Sequence, residues 1–87
     1  MVIHKYSLPQ CDRFTLEMPD RAQIIRLAMQ GPTPWIWAIV DPAAAYVERS
    51  FAMYGTGWDM PDDLSNLQYI GTVDATPYVW HYFEVIG

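Results

Sequence analysis

The sequence predicts an all-β protein, a small antiparallel sandwich or open barrel of six to seven strands. Three observations carry this. Aromatic residues make up 15% of the chain and stand among many Val and Ile, the residue types that fit a pleated, half-buried surface. Seven Pro and five Gly divide the chain into short segments, as tight turns between strands require. Apolar and polar residues alternate from Val2 to Ile86, the period of a strand with one buried face. With 87 residues the chain is one domain, 1–87. A domain of that size hides only roughly 60–65% of its unfolded surface, so its core is thin.

Each segment follows from its pattern. Residues 2–8 read as a first strand with Val2, Tyr6 and Leu8 on one face and His4 among them. Pro9 to Asp12 is a turn. Residues 13–18 alternate cleanly, with Phe14, Leu16 and Met18 inward and Arg13, Thr15 and Glu17 outward. Residues 21–30 are ambiguous: Asp20 could cap a helix that Gly31 ends, whereas a strand would group Ile25, Leu27 and Met29. Gly31-Pro-Thr-Pro34 is a rigid turn. Residues 35–40 (WIWAIV) are apolar on both faces, which predicts a strand covered on both sides. Asp41 and Pro42 stop it and suit one capped helical turn over DPAAAY. Residues 47–54 form a strand with Val47, Phe51 and Met53 inward. Gly55-Thr-Gly57 breaks it, and 58–67 is an irregular acidic loop. Residues 68–74 and 78–86 are the last strands, joined by a turn at Ala75-Thr76-Pro77.

The charge is unevenly placed. All five basic residues, Lys5, Arg13, Arg21, Arg26 and Arg49, lie in the first 49 residues, where five acids balance them. Residues 50–87 hold Asp59, Asp62, Asp63, Asp74 and Glu84 and no base, so the whole net charge of −5 falls there. Direct binding to a nucleic-acid backbone needs a basic surface, and such an acidic half favours basic partners instead. No apolar run approaches the roughly 20 residues of a membrane span. The start, Met1-Val-Ile-His-Lys-Tyr, lacks the basic-then-apolar order of a secretory leader. With the lone Cys11 this gives the expectation of a cytoplasmic protein without disulfides.

In order along the chain, IHKYSL (3–8), DRFTLEMP (12–19), WAIVDP (37–42), YGTGWDMPDDL (54–64), YIGT (69–72) and VWHYFEV (79–85) resemble a family of small uncharacterised proteins of tailed phages and prophages. The resemblance covers nearly the whole chain. It implies a strand where RAQIIRLAMQG stands, and action inside an infected bacterium or in a virion. It brings no catalytic residues. The Ala-rich 42–46 departs from it, since charged residues are more usual there.

No set of residues in the sequence makes a reactive constellation. His4 and His81 lie on the first and last strands and would approach only if those strands pair, with Cys11 or Glu84 beside them; histidines satisfied within strands explain both. Cys11 has no His at a spacing that would make it a nucleophile. Gly55-Thr-Gly57 lacks the pattern of a phosphate-cradling loop, and Asp59, Asp62 and Asp63 do not match a calcium loop. No metal or cofactor is expected, and no enzyme activity.

The aromatic surplus is the informative feature. On the last strand Tyr78, Trp80 and Tyr82 oppose Val79, Phe83 and Val85, and both sets are apolar. Assigning Tyr6, Leu8, Phe14, Leu16, Leu27, Trp37, Ile39, Phe51, Val79 and Phe83 to the core leaves Tyr78, Trp80, Tyr82 and Trp58 as a partner-binding face, rimmed by Asp59, Asp62 and Asp63. Tyr and Trp are enriched in interface hot spots. The expectation is therefore a small accessory binding protein, a homodimer that inhibits a host defence factor of anti-CRISPR or anti-restriction type by surface contact. An oligomeric sponge for a nucleotide signal, or a virion or assembly component, are the alternatives.

Overall fold

The computed structural model describes residues 1–87. Seven strands run in chain order: β1 (Val2–Ser7), β2 (Arg13–Pro19), β3 (Gln23–Gln30), β4 (Thr33–Val40), β5 (Tyr46–Gly55), β6 (Leu67–Ala75) and β7 (Tyr78–Val85). All pair antiparallel, in a three-stranded sheet ordered β1-β4-β3 and a four-stranded sheet ordered β2-β5-β7-β6. The sheets face each other as a sandwich and are not closed into a barrel. There is no helix, hence none long and apolar enough to cross a membrane.

The ambiguous segment 21–30 is a strand, joined to β4 by the turn at Gly31 and Pro32. Its pattern misleads because the register shifts between Ile24 and Arg26. A β-bulge there inserts one extra residue and resets which side chains point inward. Ile24, Leu27 and Met29 pack on the core while Ile25 is exposed. The register of β6 shifts in the same way between Tyr69 and Gly71. Asp41 caps the bend after β4, accepting from the amide of Ala43 at 3.0 Å while its carbonyl takes that of Ala44. A single turn results, and no helix.

Leu8, Met18, Ile36, Ala38, Val40, Phe51, Met53, Val73, Trp80 and Tyr82 form the buried centre, and Tyr6, Phe14, Leu16 and Leu27 pack against it. Four residues expected in the core face outward instead. On β4 the fully buried positions are Ile36, Ala38 and Val40, so Trp37 and Ile39 lie on the outer face with Trp35. Lys5 Nζ sits 4.4 Å from the Trp35 ring centre and Arg26 Cζ 5.6 Å from that of Trp37. Cationic side chains, not a second sheet, cover these indoles. On β7 it is Trp80 and Tyr82 that enter the core, leaving Val79 and Phe83 outside. Register decides this: Met53 pairs with Tyr82 and Gly55 with Trp80, so the inward row of β5 fixes the inward row of β7.

At the seam between the sheets, β3 and β6 run side by side without joining. Gly71 makes that approach possible, because a Cβ there would lie 3.1 Å from Cδ2 of Leu27. Further toward the end of β7, two inward positions carry charge. Arg49 and Glu84 form the one salt bridge in the molecule, Nε to Oε2 at 2.6 Å and Nη2 to Oε1 at 2.7 Å. Arg49 Nη1 also donates to the carbonyl of Ala22, tying the β2–β3 turn to the opposite sheet. The bond to Glu84 raises the Arg49 pKa above its ordinary value, against the opposing effect of burial.

Candidate functional site

The end of the sandwich where β7 begins carries a ladder of three rings. Tyr78 stacks on Trp80 with centroids 5.0 Å apart and planes at 16°, and Trp58 meets Trp80 edge-on at 5.5 Å and 66°. Alternation puts Tyr78 and Trp80 on one face of β7, two residues apart. Trp58 arrives from the loop after β5. The turn that brings it closes with the Trp58 amide on the Gly55 carbonyl at 3.0 Å. Gly55 is what lets the indole lie down: a Cβ at that residue would fall 2.7 Å from Cε2 and Nε1 of Trp58.

Exposure differs sharply along the ladder. Trp80 is buried, while Trp58 and Tyr78 are 49% and 58% exposed. The Trp80 indole N–H donates to Gln10 Oε1 at 3.3 Å, which satisfies the polar edge of a buried ring. Tyr78 stands between two hollows. One, of about 510 Å³, is lined by residues including Gln10, Met29, Pro32 and Asp74. The other, of about 190 Å³, is walled by Gly55, Thr56, Trp58 and Trp80. Asp74 is held by the amide and hydroxyl of Thr76, both donating to Oδ1.

The residues expected to form a partner face are thus divided. Trp58, Trp80 and Tyr78 come together, and Asp59 follows Trp58 directly. Tyr82 does not belong: it is fully buried, its hydroxyl donating to the Pro9 carbonyl at 3.3 Å. Burial, with Cys11 adding to it, pushes its pKa up to about 12. Trp80 serves as the platform under the exposed rings. Both corrections have one cause, since the face of β7 read from the sequence as free is the face that closes the core. Asp62 and Asp63 are exposed but lie farther along residues 56–66, which lead from the Trp80 end of β7 to the start of β6 beside Val85. Asp63 accepts from the amide of Ser65 at 2.9 Å, which lowers its pKa below the usual carboxylate range. Gln10 and Asp74 were not found from sequence. Gln10 meets Trp80 across 70 positions of chain, and no local pattern announces that.

The two histidines do not meet, because β1 and β7 belong to different sheets. His81 is held between hydroxyls, Nε2 to Thr56 Oγ1 and Nδ1 to Thr72 Oγ1, each at 2.8 Å. Thr56 is thereby anchored to β7 and Gly55-Thr-Gly57 is an ordered turn. Cys11 is free and exposed.

Fold and site together define a small two-sheet β sandwich with an aromatic, carboxylate-flanked end. The chain belongs to the family DUF7352, a domain of unknown function, whose model matches residues 1–87. No curated protein and no solved structure matches it.

Proposed function

We propose that this protein is a binding module, not an enzyme, and that it docks on a protein surface rich in Arg and Lys. One observation carries the reading: two half-exposed rings, Trp58 and Tyr78, stand on a buried Trp80, with Asp59 next to Trp58 in the chain and Asp74 lining the hollow beside Tyr78. Aromatic faces attract cations, and Asp59 and Asp74 flank the rings. Rigid aromatic anchors with little conformational freedom to lose suit a binding surface.

A nucleic-acid-binding groove is a surface of that chemistry, so an inhibitor of a host defence factor, working in the bacterial cytoplasm, is the particular form we favour. The resemblance to tailed-phage proteins supports it. A homodimer is compatible with the exposed rings, and sedimentation at low micromolar concentration tests it.

The decisive experiment is capture from bacterial lysate on the immobilised protein, followed by the same capture with Tyr78→Ala, Trp58→Ala and Asp59→Lys. A discrete basic protein retained by the wild type, eluted by salt and lost from all three variants is the expected outcome. Capture that survives all three, or conversion of a co-purified metabolite by the protein, removes the reading.

A further inference from the structure

The opposite end of β7 holds a second site of different chemistry. Between the edges of β3 and β6 lies a cavity of about 500 Å³, whose walls include Arg21, Ile25, Arg26, Tyr69 and Ile70. Its size falls within the range of small-molecule sites. Arg49 and Glu84 also line it, and their mutual bonds make them a fixed, nearly neutral floor. Three of the five basic residues of an acidic chain therefore line this one cavity, against a single carboxylate that is already engaged.

Arg21 and Arg26 have no acidic partner. Both are exposed at the cavity rim. Arg21 is also the only non-glycine residue with positive φ, at 63°. That conformation carries a steric cost for any side chain with a Cβ. Arg21 adopts it as the third residue of the Pro19–Ala22 turn, which the Ala22 amide closes on the Pro19 carbonyl at 3.1 Å, and the turn sets the side chain at the rim. Arg26 reaches the rim because the bulge after Ile24 turns it outward, and Ile70 is the extra residue of the facing bulge on β6. Two bulges on two neighbouring edges thus border one space, as bulges beside binding sites often do.

We infer that this cavity binds a small organic dianion, a phosphate monoester or a dicarboxylate, with its charged head on Arg21 and Arg26 and its apolar body against Ile25 and Ile70. Guanidinium groups pair in bidentate fashion with carboxylate and phosphate alike, so the shared chemistry is a dianionic oxygen head held by the planar forks of two arginines. The site lies about 20 Å from the aromatic end, six residues along β7 at roughly 3.3 Å each, and neither reading rests on the other.

The test is titration of the isotope-labelled protein with phenyl phosphate, phthalate and inorganic phosphate, followed by amide resonances. Expected are saturable shifts at residues 23–27 and 68–71, and none at Gly55 or Tyr78, with at least one of the two aromatic dianions binding more tightly than inorganic phosphate. Which aromatic dianion wins distinguishes phosphate from carboxylate recognition. Arg21→Gln and Arg26→Gln change exposed side chains without an acidic partner, and each, with its fold checked by an otherwise unchanged amide spectrum, should weaken binding at least about tenfold, the loss of one charged contact. No saturable shift for any probe up to about 10 mM, a range that would catch even weak binding, overturns the inference. So does binding that the double variant leaves unchanged.

Discussion

The two ends of β7 are built from the same strand and differ in almost everything else. At its first residues large rings gather, with carboxylates nearby and no base in that part of the chain. At its last residues an ion pair replaces the rings and two unpaired arginines stand around it. The difference teaches how a thin sandwich treats its open ends. One end is stoppered by apolar area, with Trp58 laid over Trp80, and leaves aromatic surface to spare. The other is stoppered by a charge-assisted, bidentate bond between Arg49 and Glu84, which satisfies itself and leaves a polar hollow beside it. Apolar stoppers are non-directional, whereas ionic ones are directional and expensive to unmake.

Replacing the platform should separate structure from surface most strongly. Trp80→Ala should lower stability by about 3–5 kcal/mol, the range for a buried large ring, while Tyr78→Ala beside it should change the denaturant midpoint very little. Equal losses in the two would mean that Tyr78 is as structural as its neighbour. At the other end, Glu84→Gln leaves the Arg49 guanidinium half-buried without its counter-charge. A loss of about 1–3 kcal/mol is expected, tempered by the residual solvent access of both groups. Urea denaturation measures it, and a variant as stable as the wild type would show the pair to be ornamental.

Arg21→Gly should do the opposite and stabilise. It removes a steric cost of roughly 1–2 kcal/mol and adds chain entropy to the unfolded state worth about 0.4–1 kcal/mol. A net rise of about 0.5–1 kcal/mol is expected, together with loss of anion binding at the cleft. Falling stability would show that the Arg21 side chain holds the turn.

The smallest effect concerns pH and belongs to the core between the ends. Tyr82 has a pKa of about 12 in the folded protein against 10.0 ordinarily, and burial raises that of Tyr6 as well. The unfolded chain therefore releases these protons at lower pH than the folded one. Their contribution to stability should be level below about pH 10 and fall as pH rises toward 12. Tyr82→Phe should flatten part of that decline, at little cost near neutrality because the bond to Pro9 is long at 3.3 Å. An unchanged alkaline profile would locate the titrating group elsewhere.

Much of this was legible in the chain itself. Pro and Gly mark the turns, and alternation marks β2 with its inward residues, because one face of it is polar; on β1 and β5 it finds Tyr6, Leu8, Phe51 and Met53, but Val2 and Val47, expected inward, lie exposed near the open ends of the sheets, and Ala52 and Tyr54 are buried on the other face of β5. The all-β class, the number of strands and the ordered bend at Asp41 follow from such local rules. The reading of β4 and β7 failed for an equally local reason. WIWAIV and YVWHYF are apolar on both faces, so periodicity supplies two equivalent answers. Only the partner strand chooses between them, and on β7 the choice is made by Gly55 and Met53 on β5. The bulges at Ile25 and Ile70 were hidden because an inserted residue looks like a broken pattern until its neighbour is known. The aromatic end was half visible, through Trp58, Tyr78 and Asp59 on one stretch of chain. The arginine cleft was invisible: its lining comes from the β2–β3 turn, β3, β5, β6 and β7, with Arg21 and Glu84 separated by most of the sequence. Sequence determined which segments are strands, since that depends on residues two apart. Tertiary structure decided which faces meet and which charges share a cavity, since that depends on registers between strands that no local pattern encodes.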